Sequence, residues 1–507
     1  MKNFAGLVLV GYVLFNSFAA EAQTYTESAL IFSRIRPGGS ARIQALGGTQ
    51  VSLGGDYSSA YSNPAGLGMY NRSEFTFTPG YNSANTSSDY LGTSTGSTQP
   101  KLIVPGLSFV FHSDKSKGAL IGGTFGITFN RINDFNRTFE YGAVNPDNSI
   151  IDYFVGDANF SNYSGSGSLV ARNRNPAQLF NQGGDLYNTP TELAWDNYLI
   201  NTFSPKDTTH YATDFTGIPS QHEKVQVSGA QNQWSFSYGV NLSDKFFLGG
   251  GIGVTSINYN SVKTYTESFP SDTLLSSLKL VENLRTRGSG FNATLGAIIK
   301  PMDIFQFGVS VATPTAYVLS DTYNAGMSTD WIKFPYGAVN QPKGTIRTDD
   351  VLTDYYLTTP WRVSGGATFF IQKHGFVSAD VEYLNYSGNH YSTQTTGVSF
   401  SGDNADIKDL YHSVFNYRFG AEYRVSAFRV RAGYSYMPDP YKSIQNNVYN
   451  DVQSFSGGVG YRASKFFVDL TGVFTQGNTT YRPYTFSPLV SNQNKNTLIM
   501  ATVGFPF

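Results

Sequence analysis

The sequence predicts an all-β fold, a transmembrane antiparallel β-barrel of about 14 strands around an N-terminal plug. Three observations predict it. Apolar and polar residues alternate with period two along most of the chain. Aromatic residues make up 15% and charged residues only 14%, against about 25% charged in ordinary soluble domains. The joins between alternating segments are by turns short and long, the pattern of outer-membrane barrels.

The chain opens on a signal-peptide pattern. Lys2 supplies the basic start, Phe4 to Phe18 the apolar run and Ala20-Glu21-Ala22 the small-x-small cleavage pattern. Residues 1–22 are therefore expected to be removed during export. The run is too short for a retained membrane helix and lacks a basic flank. A Gly/Ser/Ala-rich stretch follows, Gly38 to Leu67, closed by Asn63-Pro64-Ala65-Gly66-Leu67. By itself this pentapeptide is a turn, and Asn-Pro-Ala recurs at Asn175-Pro176-Ala177. Its position carries more. A compact, non-alternating segment between a secretion signal and a series of strands reads as a hatch, expected over 23–72, with the barrel over 73–507.

Alternation is clearest in 376–383, 414–425, 428–436 and 466–475. In the second of these, Phe415, Tyr417, Phe419 and Tyr423 alternate with Asn416, Arg418, Gly420, Glu422 and Arg424. Short joins are expected near 112–118, 241–245, 300–303, 372–375, 425–428 and 462–465. Long ones are expected near 82–100, 131–232, 259–287, 314–356, 387–411, 437–452 and 477–494. Both chain ends then fall on the periplasmic side. The last strand closes on Phe507 and resembles the C-terminal signal read by the outer-membrane assembly machinery. The 131–232 join is too long to be structureless and is expected to form an ordered outer layer. In 259–287, Ser271 is placed to cap a short helix on which Leu274, Leu275, Leu278, Val281 and Leu284 share a face. Such a helix either packs on neighbouring loops or offers an exposed apolar landing site.

Several function classes are excluded. A net charge of −1 implies no nucleic-acid partner. The absence of cysteine rules out disulfides, a lipid-modified N-terminal Cys and thiolate metal sites. Gly249-Gly250-Gly251 opens no helix and is followed by no Lys-Ser/Thr. It reads as wall glycine that permits bends and close approach of a lumenal segment, not as a phosphate loop. His112, His210, His222, His374, His390 and His412 show no metal-ligand spacing, and no nucleophile elbow or triad is readable. No enzyme, metal or cofactor is expected. Arg362, Asp380, Glu382, Arg418, Glu422, Arg424, Arg429, Arg431 and Asp469 lie on polar strand faces and would point into the lumen. There they brace the barrel as ion pairs, or one arginine anchors a ligand carboxylate, or both.

The residues resemble the FadL family of outer-membrane long-chain fatty acid and hydrocarbon transporters. Gly39-Ser40-Ala41, Ala45-Leu46-Gly47-Gly48 and Asn63-Pro64-Ala65-Gly66-Leu67 look like its N-terminal hatch. Thr359-Pro360-Trp361-Arg362-Val363-Ser364-Gly365-Gly366 looks like its Pro-initiated strand, and Ala379–Tyr383 and Val430–Tyr436 like later strands. The resemblance implies a hatch at Asn63, Pro64, Ala65, Gly66 and Leu67 that shifts to let a hydrophobic ligand diffuse through an outer-membrane barrel. Leu274, Leu278, Val281 and Leu284 are the candidate landing residues, and Arg362 and Arg431 the candidate head-group anchors. The implied partners are a hydrophobic ligand, outer-membrane lipids and the assembly machinery. The alternative is a non-transporting barrel that docks partners in an envelope secretion or assembly complex.

Overall fold

The computed structural model describes residues 25–36, 38–159, 189–204, 207–215, 217–337, 340–396, 398–444 and 448–507. The expected signal peptide and the second Asn-Pro-Ala lie outside them. Fourteen antiparallel strands close the barrel. They are β1 (Glu74–Tyr90), β2 (Thr93–Lys117), β3 (Leu120–Asp134), β4 (Ser220–Leu242), β5 (Phe246–Ser268), β6 (Leu275–Met302), β7 (Phe305–Ala312 and Ala316–Trp331), β8 (Val351–Thr358 and Arg362–Ile371), β9 (Gly375–Asn385 and His390–Ser392), β10 (Ser413–Val425), β11 (Phe428–Met437), β12 (Val452–Arg462), β13 (Phe467–Tyr481) and β14 (Val490–Pro506). Glu74 pairs with Val110 on β2 and with Pro506 on β14, which closes the ring.

The period-two pattern sets the faces. Along β10, exposed Phe415, Tyr417, Phe419 and Tyr423 alternate with buried Asn416, Arg418, Gly420 and Glu422. Apolar side chains point outward and polar ones inward, the reverse of a soluble core and the arrangement that suits a lipid surround. No helix among the described residues is long and apolar enough to cross a membrane.

The turns at one end are short, as expected, at 118–119, 243–245, 303–304, 372–374, 426–427 and 463–466. The opposite end differs from the expected loops in three places. The 82–100 segment is a hairpin, not a loop. Its two turn residues, Leu91 and Gly92, both have positive φ (51° and 80°), which matches the twist of the flanking strands. Strands also run far into 259–287 and 314–356, leaving joins of only 269–274 and 332–350. The helix expected after Ser271 is absent. Leu275 to Leu284 belong to β6, and a bulge at Ser276 turns Leu275 onto the same face as Leu278 and Leu280.

Three adjacent strands break at one level. β7 is interrupted at Thr313-Pro314-Thr315, β8 at Thr359-Pro360-Trp361 and β9 at 386–389. Each proline lacks the N–H its ladder position needs. The wall stays joined, because Thr359 N donates to Thr315 O (3.1 Å) and Thr315 N to Thr359 Oγ1 (2.9 Å).

The 131–232 region builds an outer lobe. Among the described residues it adds a strand (Arg137–Val144) to the edge of β4 and two helices, Ile150–Asn159 and Pro190–Asp196. Ile150, Phe154, Leu193, Leu199, Phe269, Leu275 and Leu278 share its apolar core.

Candidate functional site: the lumenal plug and the cavities beside it

Residues 38–70 cross the lumen. The segment holds α2 (Ala41–Ala45), α3 (Ser59–Ser62) and a 3-10 turn, Pro64–Met69. Asp56 ties its two halves together, since Ser40 Oγ donates to Oδ2 (2.6 Å) and Ser58 N and Oγ donate to Oδ1 (3.0 and 2.6 Å). Asn63 caps the 3-10 turn by accepting from Ala65 N (3.2 Å), and Pro64 takes the first helical position, where no N–H is needed. The Asn63 amide also donates to Val51 O (2.6 Å) and reaches Ala297 O on β6 and Val309 O on β7. Leu67 packs on Tyr57, Ala60, Tyr70 and Val110. The pentapeptide thus caps the 3-10 turn and anchors this lumenal segment to β6 and β7.

Elsewhere the segment is held by single polar bonds to distant strands. Ala41 N donates to Thr502 Oγ1 (2.8 Å) on β14, Gly47 N to Ser456 Oγ (3.1 Å) on β12, and Gln50 N and Val51 N to Asp380 Oδ2 (2.7 and 2.9 Å) on β9. Wall glycines make room for it. A Cβ on Gly249 would lie 2.3 Å from Pro64 C, on Gly296 1.8 Å from Asn63 Oδ1, and on Gly433 2.0 Å from Gly47 N. The close-approach reading of Gly249 holds, and the belt extends around the barrel.

Most lumenal arginines are engaged. Arg431 is nearly inaccessible and donates to Glu422 (2.7 Å) and Asp469 (2.6 Å). Arg462 completes the chain at 2.8 Å from Asp469, and Arg424 binds Glu422 at 2.7 Å. Arg418 pairs with Glu382 (2.7 Å), and Arg131 with Asp134 (2.7 Å). Arg429 departs from the lumenal expectation and donates to Ser426 O and Phe428 O at the turn. Arg431 is therefore bracing and has no accessible face for a head group. Arg362 donates to Tyr61 Oη (2.7 Å) and stacks on that ring. It lines two small cavities of about 30 and 20 Å³.

Sequence reasoning missed Arg36. No described carboxylate lies within ion-pair distance of it, although it faces lumenal space and lines cavities on both sides of the plug. The larger cavity, about 100 Å³, lies between Gly38, Gly39 and Gly47 of the plug and a mixed wall, in which Ile103, Ile132, Val473, Leu498 and Met500 stand among Asn82, Thr475, Asn496 and the Arg131–Asp134 pair. The available signal was compositional: Arg34, Arg36 and Arg42 stand in a segment with few other charges.

Above the plug, α1 (Tyr25–Ser33) stands in an aromatic collar. Tyr25 meets Tyr355, Tyr391 and Phe400 at 4.8–5.5 Å between ring centres, and Phe32 meets Phe135 and Tyr259. The candidate landing residues do not form one exposed face. Leu278 is fully buried in the lobe core and Leu274 packs against that core. Leu284 packs against the collar, and Val281 is half-buried.

A closed barrel, a polar-tethered lumenal segment and a cavity beside it set the terms for comparison. A solved Pseudomonas aeruginosa FadL homologue superposes with a TM-score of 0.53 at 11% identity, covering 93% of this chain and 99% of that one. The P. putida toluene transporter TodX superposes with a TM-score of 0.52 at 13% identity, covering 93% and 99%. The chain has the FadL-type barrel fold. No protein-family model matches the sequence, and no curated protein matches it. The likeness thus lies in the architecture of the FadL-type barrel. Both matched structures are nearly fully covered.

One titratable group lies in the outer extension of this FadL-type barrel. Glu223 is buried and accepts from Tyr141 Oη (2.6 Å) and Tyr481 Oη (3.0 Å). Burial pushes its carboxyl up to about 7, while Lys263 and the two hydroxyls pull the other way. A raised acid contributes stability that is complete below its unfolded value and is lost as pH rises through 7. The protection of amides at 220–227 and 478–484 against hydrogen exchange, taken relative to the intrinsic rate at each pH, should therefore fall between about pH 5 and about pH 8. Glu223→Gln should flatten that dependence, and an equally steep profile in the variant would assign it elsewhere.

Proposed function

We propose that the chain is an outer-membrane channel for hydrophobic compounds, long-chain fatty acids or similar lipids and hydrocarbons. They pass by diffusion when the hatch at Asn63–Leu67 shifts. The observation that carries this reading is the cavity of about 100 Å³ against the plug, lined by both apolar and polar side chains, with Arg36 at its edge and in no ion pair among the described residues. A chain in that cavity gains about 0.8 kcal/mol per buried methylene, so capture needs no chemical energy. Arg36 holds an anionic head group, and Arg362 is the second candidate across the plug. Leu284 and the collar aromatics offer an apolar approach from outside. Proteins of similar fold include a toluene transporter and a FadL homologue, which supports the substrate class. The signal sequence is cleaved on export, and Phe507 presents the last strand to the assembly machinery before the apolar outer face meets outer-membrane lipids.

The test is uptake of labelled oleate and of toluene by cells with and without the protein. Arg36→Ala should cut oleate uptake about tenfold, the loss of roughly one charge-assisted contact, and leave toluene unchanged. Equal uptake of both compounds with and without a folded barrel would end the transport reading. The outer lobe, with a core of its own, favours a second reading, that the barrel docks an envelope partner. A stoichiometric partner lost on removing 140–225, with no bound lipid, would support it.

A further inference from the structure

The outer lobe carries a feature that transport does not use. The helix Pro190–Asp196 ends with Leu199 N donating to Ala194 O (2.9 Å) and Tyr198 N to Trp195 O (2.9 Å). This closing motif places the residue after the cap in the left-handed region, a position that favours glycine. The chain has tyrosine there, at φ 60°. A bulky residue held in that conformation is strained, and strain of this kind persists where the surroundings impose it.

The strain places the Tyr198 ring, half-exposed, against two others. Tyr198 lies 5.4 Å from both Phe334 and Tyr336, and Phe334 lies 5.2 Å from Trp331. A polar rim borders them. Tyr336 Oη donates to Asp214 Oδ2 (2.6 Å) and accepts from Asn201 Nδ2 (2.5 Å). Asp214 is exposed. Its second oxygen and Asn201 Oδ1 accept no hydrogen bond among the described residues.

We infer that Tyr198, Tyr336, Asp214 and Asn201 form a carbohydrate-binding site on the outer lobe. A pyranose has an apolar C–H face that lies on an aromatic ring and a rim of hydroxyls that donate to planar oxygen acceptors. The site offers both at hydrogen-bond reach of each other. A purely apolar partner would desolvate the Asp214 carboxylate with no donor for its second oxygen, which disfavours it. The sugar is part of a free oligosaccharide or of a surface polysaccharide.

The test titrates the full-length protein in detergent, with tryptophan fluorescence as the signal and Trp331→Phe as the control that assigns it. The probes are maltoheptaose, cellohexaose, lipid-free O-polysaccharide from the producing cells, and tetramethylammonium as the cation control. Saturable binding of at least one saccharide is expected. The first two probes report a free source and the third a surface one. Tyr198→Gly and Tyr336→Ala should each weaken binding about tenfold or more. Tyr198→Gly should leave the melting midpoint at or above that of the unsubstituted protein, because glycine is favoured there. Loss of binding in that variant then belongs to the ring and not to misfolding. Absence of saccharide binding, unchanged binding by Tyr198→Gly, or binding of tetramethylammonium alone would overturn the assignment.

Discussion

Arg431→Met is expected to be the most destabilising single change in the barrel wall, at about 3–5 kcal/mol. The guanidinium is 1% exposed and binds two carboxylates that are equally buried, Glu422 and Asp469. Methionine fills the volume but leaves both carboxylates short of a partner. Arg424 and Arg462 remain, at 2.7 and 2.8 Å, but each is about one-third exposed and holds only its own carboxylate. Breaking a buried pair costs more than the pair contributes net, since the residual charge stays desolvated. Urea titration of the protein in lipid vesicles, followed by gel mobility of the folded form, reads the loss. The triple change Glu422→Gln, Arg431→Met, Asp469→Asn should recover much of it. If the single variant unfolds at the original urea concentration, the network does not brace the barrel.

The second large effect concerns the plug. Gly249→Val should unseat the segment at Pro64-Ala65, because even the first carbon of the side chain would sit 2.3–2.5 Å from main-chain atoms. Backbone cannot swing aside as a side-chain tip can. Overpacking of this kind costs about 1–3 kcal/mol, a shift of about 5- to 150-fold in the balance between seated and unseated plug. Influx of a chromogenic solute into vesicles should rise, while folded-barrel mobility is unchanged. Solute flux at the original level would mean that the segment does not control passage.

Much of the architecture is legible in the sequence because period-two alternation is written directly into burial. β10 alternates almost without exception, and its short turn to β11 falls at 426–427. Two readings failed for local physical reasons. The hairpin at Leu91-Gly92 hides in a Ser/Thr/Gly-rich stretch, and its first turn residue is leucine, which gives no turn signal despite φ 51°. The leucines of 274–284 mimic a helical stripe because the bulge at Ser276 shifts the strand's phase by one residue. The site was only half legible. Asn63-Pro64 announces a cap by residue type. Arg431's first partner is local, because Glu422 faces it on the neighbouring strand across the 426–427 turn. Asp469 comes from two strands further on, and the freedom of Arg36 depends on which carboxylates approach it in space, which no local pattern encodes.

The tethers of the plug also set the order in which the molecule can be completed. Ala41 binds Thr502, separated by 461 positions, and accepts from Thr471 at a separation of 430. The α2 helix, made well before the strands, is therefore among the last elements to find its native neighbours. The Asn63–Leu67 half can rest on β2, β6 and β7 before then, whereas α2 must wait for β13 and β14, and contacts at such separation form slowly. The lumenal segment is therefore seated in two stages, its earlier-made half last.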